Sequence, residues 1–263
     1  MRRIVWTLLP MAGVAAILCA GWMAACPDAT ACAAAVGGSG VAAVGTVIVA
    51  TLLAAWTARL VWLLQLSRRA TTALAVAAPP DELTRAMDRT LIRNVRYLVA
   101  SEPAAFCAGG LRPTVYVSRG LVQALRTEEL DAVLLHEAHH GHRLDPLRRA
   151  VARSLADIVF FLPVVRWWAD WQIERSELAA DRAVLIRLGP RPLAGALWVV
   201  GQSTGASPAV AFTGAAELRA AQLLGATPVR RYPPIPVLTS SAIGLLMSVA
   251  LTSCVVHVAA ALG

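Results

Sequence analysis

With 263 residues, the chain is long enough for one domain of about 150 residues together with membrane segments. Hydrophobic residues make up 57% of the chain and charged residues only 15%, a composition too apolar for an ordinary soluble domain. The net charge is +8, but the arginines that carry it are spread beside apolar runs and form no nucleic-acid-binding motif, so direct nucleic-acid binding is not expected.

Two apolar runs near the N-terminus predict a transmembrane helical hairpin. The first, residues 4–25, meets the length of about 20 residues that a span needs, although Met23–Cys26 resembles a lipoprotein cleavage box and leaves a signal peptide as the alternative. The second covers residues 41–66. By the positive-inside rule the arginine-rich ends face the cytoplasm and the connection lies outside. Cys26 and Cys32 in that connection either pair in an oxidising exterior or stay unpaired.

A helix is predicted from Asp81 to Asn94, after a linker that contains Pro79-Pro80. Three of its arginines recur at i,i+4 spacing, at positions 85, 89 and 93. We interpret this side of the helix as solvated or as facing lipid headgroups.

A short strand followed by a β-hairpin is predicted next. Val95–Val99 is rich in residues that favour strands, and Ala104–Cys107 and Thr114–Ser118 flank a turn at Gly109-Gly110. This part of the chain therefore predicts a small sheet.

Residues 127–145, TEELDAVLLHEAHHGHRLD, predict a long helix. Thr127 can cap its N-terminus, and Glu128 and Glu129 place negative charge on the first turn, where the helix dipole favours it. The apolar run that follows indicates that one side of this helix is buried.

This helix contains an HExxH pattern. His136 and His140 are four residues apart and share a helix face, so they can bind one metal ion, while Glu137 can reach a water molecule on that metal. His139 points about 100° away from His140 on an ideal helix, so we exclude it from the ligand set. A histidine-rich solvated face is the alternative interpretation of the same pattern. His142 is a candidate for stabilising an oxyanion by its proximity in sequence only.

The third metal ligand is predicted further along the chain. A catalytic zinc needs three protein ligands and one open position, and Glu177 can be the third ligand. Asp181, one turn later on the same helix, can hydrogen-bond a ligating imidazole from outside the ligand set. Asp145, before Pro146, can cap a new helix or anchor an arginine or a ligand histidine.

The apolar run Ile158–Val165 is too short to span a bilayer. With the tryptophans at positions 167, 168 and 171 it predicts an interfacial or re-entrant helix, and a buried core helix is the alternative.

The helix with Glu177 is predicted to end near Gly189-Pro190. Residues 192–216 predict domain packing and loop, with a further membrane segment as the alternative, and Glu217–Leu224 predicts a short amphipathic helix. The uncharged run from Val237 to Leu262 predicts a last transmembrane helix, whose start is placed in the cytoplasm by the preceding arginines.

The segments HEAHHGHRLDPLRR and ERSELAADRAVL together resemble the membrane-bound gluzincin metallopeptidases. The BlaR/MecR-type antibiotic-sensor peptidases are the nearest match, and the HtpX/Ste24-type membrane proteases come second. Two departures are His139, at a position that is usually apolar, and the lack of a long sensor domain after the last apolar run. The resemblance implies that an edge strand pairs with the extended substrate backbone.

The predicted fold is mainly α-helical with a small β-hairpin or sheet, in an integral membrane protein with a zincin-like (gluzincin) catalytic domain and about three transmembrane helices. The predicted domains are a transmembrane hairpin over 1–69, a cytoplasmic zinc metallopeptidase domain over 70–232 and a transmembrane helix over 233–263.

The predicted function is that of a membrane-anchored endopeptidase with one zinc ion per chain, acting on a protein or peptide substrate at the cytoplasmic face of the lipid bilayer. The resemblance implies a transcriptional repressor or damaged membrane proteins as that substrate. The alternative is a non-catalytic membrane signalling or scaffold protein with a structural metal site. Glu137 favours catalysis, because a structural site needs no base beside the metal.

Overall fold

The computed structural model describes residues 38–203, 215–226 and 232–262. The predicted span over 4–25 and the connection with Cys26 and Cys32 lie outside the described residues. Within them the chain is mainly helical, as predicted. The helices are α1 (Gly38–Thr72), α2 (Asp81–Thr90), α3 (Arg119–Ala124), α4 (Thr127–His142), α5 (Asp145–Ile158), α6 (Pro163–Leu188), α7 (Pro190–Ser203), α8 (Ala215–Leu223) and α9 (Ile235–Leu262). The strands are β1 (Val76–Ala77), β2 (Val95–Leu98), β3 (Ala105–Ala108) and β4 (Thr114–Ser118).

The four strands form one mixed sheet in the order β1-β2-β4-β3. Strands β3 and β4 are antiparallel, with Ala105 opposite Val117, which confirms the predicted hairpin. Gly109 begins the connection between them with a φ of 120°, a conformation that glycine adopts without strain. Strand β2 pairs with β4 in parallel. Strand β1, which lies in the segment predicted to be a linker, pairs with β2 in the antiparallel direction. Strand β3 therefore lies at one edge of the sheet among the described residues.

One hydrophobic core joins the sheet to the helix with the HExxH pattern. It contains buried residues of α2, β4, α3, α4 and α7 together with Leu125: Leu83, Ala86, Val115, Val117, Leu121, Val122, Leu125, Leu130, Val133, Leu134 and Ala196. Burial of apolar area of this kind is the main stabilising contribution to the fold. It holds α4 at a fixed position beside the sheet.

Helix α2 is shorter than predicted, and one of its arginines forms an ion pair with another helix. The helix ends at Thr90 because Leu91 takes a left-handed φ of 61°, and the N–H of Ile92 then bonds to the carbonyl of Met87. Arg89 donates two hydrogen bonds to Asp131 of α4, at 2.8 and 2.7 Å. Arg89 is exposed, as predicted, but it is also the partner of Asp131, a buried carboxylate that needs a cation beside it.

The described residues divide into two compact units. One includes the described residues up to Arg59, Arg153–Trp168 and the described residues from Tyr232 onward; the other includes Leu60–Ala152 and the described residues between Ala169 and residue 226. The domain limits derived from the sequence stay predictions.

Among the residues that the structure describes, two helices are long and apolar enough to cross a membrane. The candidate spans are Gly45–Thr72 in α1 and Ile235–Val255 in α9, with mean hydropathies of 2.0 and 1.8. They correspond to the second and third apolar runs of the sequence. By length and composition, both meet the requirement of about 20 residues for a transmembrane helix.

The apolar run from 158 to 165 was predicted to form one helix. In the structure it does not, because one helix ends and another begins within it. Helix α5 ends at Ile158 and α6 begins at Pro163, since proline has no N–H for a preceding turn but suits the first turn of a new helix. The N–H of Val164 donates to the hydroxyl of Ser241 on α9 at 2.9 Å. This segment is therefore packed against α9.

Gly244 allows α9 to approach the backbone at Phe161. A Cβ atom at this position would clash with the carbonyl oxygen of Phe161. We expect Gly244→Leu to lower the apparent melting temperature of the detergent-purified protein by about 5 °C or more, because the backbone has to shift. Gly45→Leu in α1 is the matched control, since nothing lies within 4 Å of its Cβ position. Equal melting temperatures for the two variants would show that this close approach does not stabilise the fold.

Helices α6, α7 and α8 differ in how well they were predicted. Helix α8 agrees with the predicted amphipathic helix, and α6 ends at Leu188, as the Gly189-Pro190 signal indicates. The loop prediction was wrong over 192–203, where α7 is helical. Leu193 and Ala196 of α7 are buried, so tertiary packing stabilises this helix in spite of its glycines.

Candidate metal centre

If Thr127 were the cap, as predicted, helix α4 would begin at residue 128, but it begins at Thr127 itself. The N–H of Arg126 donates to the carboxylate of Glu129 at 2.9 Å, and Thr127 is the first helical residue. The prediction that Thr127 caps the helix was therefore wrong. Glu129, three residues into the helix, satisfies the backbone at this end.

The predicted metal donors converge at one point. The Nε2 atoms of His136 and His140 lie 3.1 Å apart, and the two carboxylate oxygens of Glu177 each lie 3.4 Å from one of them. All three donors are within 4.8 Å of one another, and both histidines are buried. Helix α4 provides the two histidines and α6 provides the glutamate.

These separations fit one zinc ion. Zinc binds nitrogen and carboxylate oxygen at about 2.0–2.2 Å, so two ligands of a tetrahedral site are about 3.3–3.6 Å apart. The distances between the three donors agree with that value to within a few tenths of an ångström. Two imidazoles and one carboxylate are also a donor set that zinc binds in catalytic sites.

A carboxylate lies behind each histidine. Nδ1 of His140 lies 2.9 Å from Asp145, and Nδ1 of His136 lies 3.0 Å from Asp181, although the angle of the second contact is outside that of a good hydrogen bond. Such contacts orient the rings so that Nε2 faces the metal. Asp181 thus lies beside a histidine of the candidate site, the position that the sequence predicted for it. Asp145 both begins α5 and contacts a histidine of the candidate site.

Two arginines surround Glu177 and were missed by sequence reasoning. Nη2 of Arg149 donates to Glu177 at 2.6 Å and to Ser176 at 2.8 Å. Arg219 of α8 donates to both oxygens of Asp181, at 2.6 and 2.8 Å, and lies 3.6 Å from Glu177. Arg149 follows Asp145 by one helical turn, which the sequence could have indicated. The position of Arg219 depends on tertiary packing.

The site stabilises positive charge where the three donors meet. Burial alone would raise the pKa of Glu177, but the contacts with His136 and His140 hold it well below its usual range. Burial alone would lower the pKa of His136, but its contacts with Asp181 and Glu177 raise it to about 9. A proton and a metal ion compete for the same nitrogen, so a site that favours the one also suits the other.

Glu137 lies on the wall of a cavity of about 230 Å³ that also contains two of the donors. The lining residues are Ala105, Phe106, Cys107, Glu137, His140, Pro146, Arg149 and Glu177. Burial raises the pKa of Glu137 from its ordinary value, which brings this carboxylate closer to the range of an effective general base. Edge strand β3 and the candidate base thus border the same space.

Three other side chains that can bind metals or protons lie near this site. Burial raises the pKa of Cys107 to about 12, so its thiol is neutral near pH 7 and is a poor nucleophile and metal ligand. Burial lowers the pKa of His139, whose Nε2 has no hydrogen-bond partner among the described residues. His142 is exposed and does not line the cavity, so its proximity in sequence is not proximity in space.

The sequence was compared with known proteins. The model of the family described as BlaR1 peptidase M56 matches residues 22–192. Three curated relatives are each named "Protease HtpX homolog". The one from Thermoanaerobacter pseudethanolicus is 29% identical over 99 residues, which is 35% of this chain and 33% of the relative.

The other two relatives match a shorter stretch. Those of Janthinobacterium sp. and Acaryochloris marina are 34% and 35% identical over 79 and 78 residues, 28% of this chain and 27% of each relative. The chain therefore spans about a third or less of the length of the curated relatives it matches. Both resemblances identified from the motifs are confirmed.

Proposed function

Because the chain belongs to the BlaR1 peptidase M56 family, we propose that it is a membrane-anchored zinc metalloendopeptidase. The observation that supports this most directly is the convergence of His136, His140 and Glu177 beside a cavity that contains Glu137. Three protein ligands with an open position and an adjacent carboxylate are the arrangement of catalytic zinc sites rather than of structural ones.

His136, His140 and Glu177 would hold the zinc ion, with Asp145 and Asp181 orienting the two imidazoles. Zinc bound there would supply Lewis acidity, which activates water and polarises the peptide carbonyl. Glu137 takes a proton from the attacking water while the water oxygen bonds to the carbonyl carbon and the C=O electron pair moves onto the carbonyl oxygen. When the C–N bond breaks, Glu137 gives the proton to the leaving amine.

The position of edge strand β3 favours a peptide as the substrate. One side of β3 has no strand partner among the described residues, and its residues Ala105, Phe106 and Cys107 line the cavity beside Glu137. An extended peptide can add to such an edge through main-chain hydrogen bonds. We propose a protein substrate, either a transcriptional repressor in a signalling response or damaged membrane proteins in quality control.

The proposed topology places catalysis at the cytoplasmic face of the membrane. The transmembrane hairpin over 1–69 and the last helix over 233–263 would anchor the catalytic domain over 70–232 in the lipid bilayer. The arginine-rich ends of the apolar runs support this orientation through the positive-inside rule.

Glu137→Gln tests this proposal in the detergent-purified protein. We expect wild type to hold about one zinc ion per chain and to cleave an unfolded protein, and Glu137→Gln to keep its zinc but cleave about 10²–10⁴-fold more slowly. The amide has the shape of the carboxylate but cannot take a proton. Zinc is measured by elemental analysis and cleavage by gel electrophoresis.

Glu128→Gln is the matched control, because Glu128 is exposed on the same helix. Its zinc content and cleavage should equal those of wild type. If wild type holds zinc and cuts no protein, the site is structural and the non-catalytic alternative is correct. Undiminished cleavage by Glu137→Gln would exclude Glu137 as the base.

A further inference from the structure

Arg149 is the only cation among the described residues that line the cavity with Glu137. Its guanidinium contacts Glu177 through Nη2, so it lies directly beside the donors of the candidate metal site. The carbonyl group that Glu137 would help to hydrolyse has to enter this same cavity of about 230 Å³. A substrate in reach of Glu137 therefore comes close to the guanidinium.

The hydrogen-bonding capacity of Arg149 is only partly used. A guanidinium has five N–H groups in a fixed planar arrangement. One nitrogen, Nη2, serves both Ser176 and Glu177. Nε is buried and has no hydrogen-bond partner among the described residues. Because Nε has almost no accessible surface, the free N–H groups that an incoming acceptor can reach are those of Nη1, which makes no hydrogen bond among the described residues.

Peptide hydrolysis creates such an acceptor. When water attacks the carbonyl carbon, the C=O electron pair moves onto the oxygen, which becomes an anion until the C–N bond breaks. A fixed donor in a cavity with little water stabilises this charge much more than it stabilises the neutral carbonyl group. The contacts with Ser176 and Glu177 fix the guanidinium before the substrate arrives, so no reorganisation is needed.

We propose that Arg149 is a catalytic residue whose free N–H groups bind the carbonyl oxygen of the scissile peptide as that oxygen becomes negatively charged. The assignment rests on the proposed peptidase activity. It excludes two other roles: Arg149 as a purely positioning residue for Glu177, and Arg149 as a binding site for a carboxylate of the substrate.

The test compares Arg149→Met and Arg149→Lys with Arg148→Met in the zinc-loaded protein. Arg148 is the matched control, since it directly precedes Arg149 on α5. Its side chain is 55% exposed, and its contact with Asp145 is 3.8 Å long. The quantities are zinc content, kcat and KM for a peptide with uncharged side chains, and the Kd of a phosphinic peptide that imitates the tetrahedral anion.

We expect Arg149→Met to keep its zinc and to lose about 10²–10³-fold in kcat, the usual effect of removing one such donor, with little change in KM. The affinity for the phosphinic peptide should fall by a similar factor. Arg149→Lys should recover part of both, because it restores the charge without the planar arrangement of donors. Arg148→Met should match wild type.

Three results would overturn the assignment. Loss of zinc from Arg149→Met would make Arg149 a positioning residue for Glu177. A defect confined to peptides with an acidic side chain or a nearby C-terminal carboxylate would make it a substrate-binding residue. Unchanged kcat would exclude any part in the reaction. If zinc-loaded wild type neither cleaves peptides nor binds the phosphinic peptide, the proposed function itself fails, and the role of Arg149 fails with it.

Discussion

Glu177→Gln is expected to release the metal and abolish cleavage. A neutral amide is a weak zinc ligand, and the substitution also removes the negative charge that Arg149 and Arg219 face at 2.6 and 3.6 Å. We expect zinc affinity to fall by more than the roughly 10–100-fold that loss of an outer hydrogen bond causes. Competition with a chelator of known affinity gives this number without any measurement of activity.

Asp170→Asn is the control for that experiment, because Asp170 is an exposed acidic residue on the same helix. It should keep the zinc affinity of wild type. If Glu177→Gln retains both its zinc and its cleavage, the third ligand is another residue and the assignment of Glu177 is wrong. The distances among the three donors make that outcome unexpected.

The second large effect concerns the buried pair of Asp181 and Arg219. Asp181 is 1% exposed, and Arg219 donates to both of its carboxylate oxygens while His136 lies on its other side. Asp181→Ala leaves a largely buried guanidinium without its closest counter-charge, which costs about 3–5 kcal/mol in the free energy of unfolding. It also leaves His136 without its orienting carboxylate, so zinc affinity should fall by roughly 10–100-fold.

A double-mutant cycle separates these two effects. Arg219→Met alone leaves the buried Asp181 without its arginine partner, whereas Asp181→Ala with Arg219→Met removes both charges. The double variant should therefore be more stable than the sum of the single effects predicts, by about 0.5–3 kcal/mol. Zinc affinity should not recover, because the double variant still lacks the carboxylate beside His136. Strict additivity of the two stability changes would mean that the pair is not energetically coupled.

The pairing of candidate site residues within each helix could be predicted because their spacing is a local property of helices. His136 and His140 share a face of any α-helix, and Glu177 and Asp181 are likewise one turn apart. The sequence thus indicated which side chains converge, and the described distances place them together.

Contacts that depend on packing between distant segments could not be predicted in this way. Arg219 meets Asp181 across 38 residues, and Arg89 meets Asp131 across 42. When each helix is considered alone, both arginines would be expected on a solvated helix face, and nothing in the local sequence indicates a distant partner. The parallel pairing of β2 with β4 has the same origin, since nothing in either strand specifies its neighbour.

The loop prediction failed for a related reason. Gly201 and Ser203 are typical of a break, but burial of Leu193 and Ala196 outweighs their low helix propensity. Local preference is weak, and each such residue costs about 1 kcal/mol or less, which one well-packed side chain can offset.

In the proposed peptidase, strand β3 would select the backbone conformation of a substrate rather than its amino-acid sequence. A sheet edge forms hydrogen bonds only with a chain that is already extended and whose own N–H and C=O groups are free, so a helix or a strand inside another sheet cannot bind there. The proposed peptidase would not cleave a tightly folded protein, however well the sequence of that protein suited the cavity. The same protein would become a substrate when one of its segments unfolds. Folding state would act as the first filter on substrates.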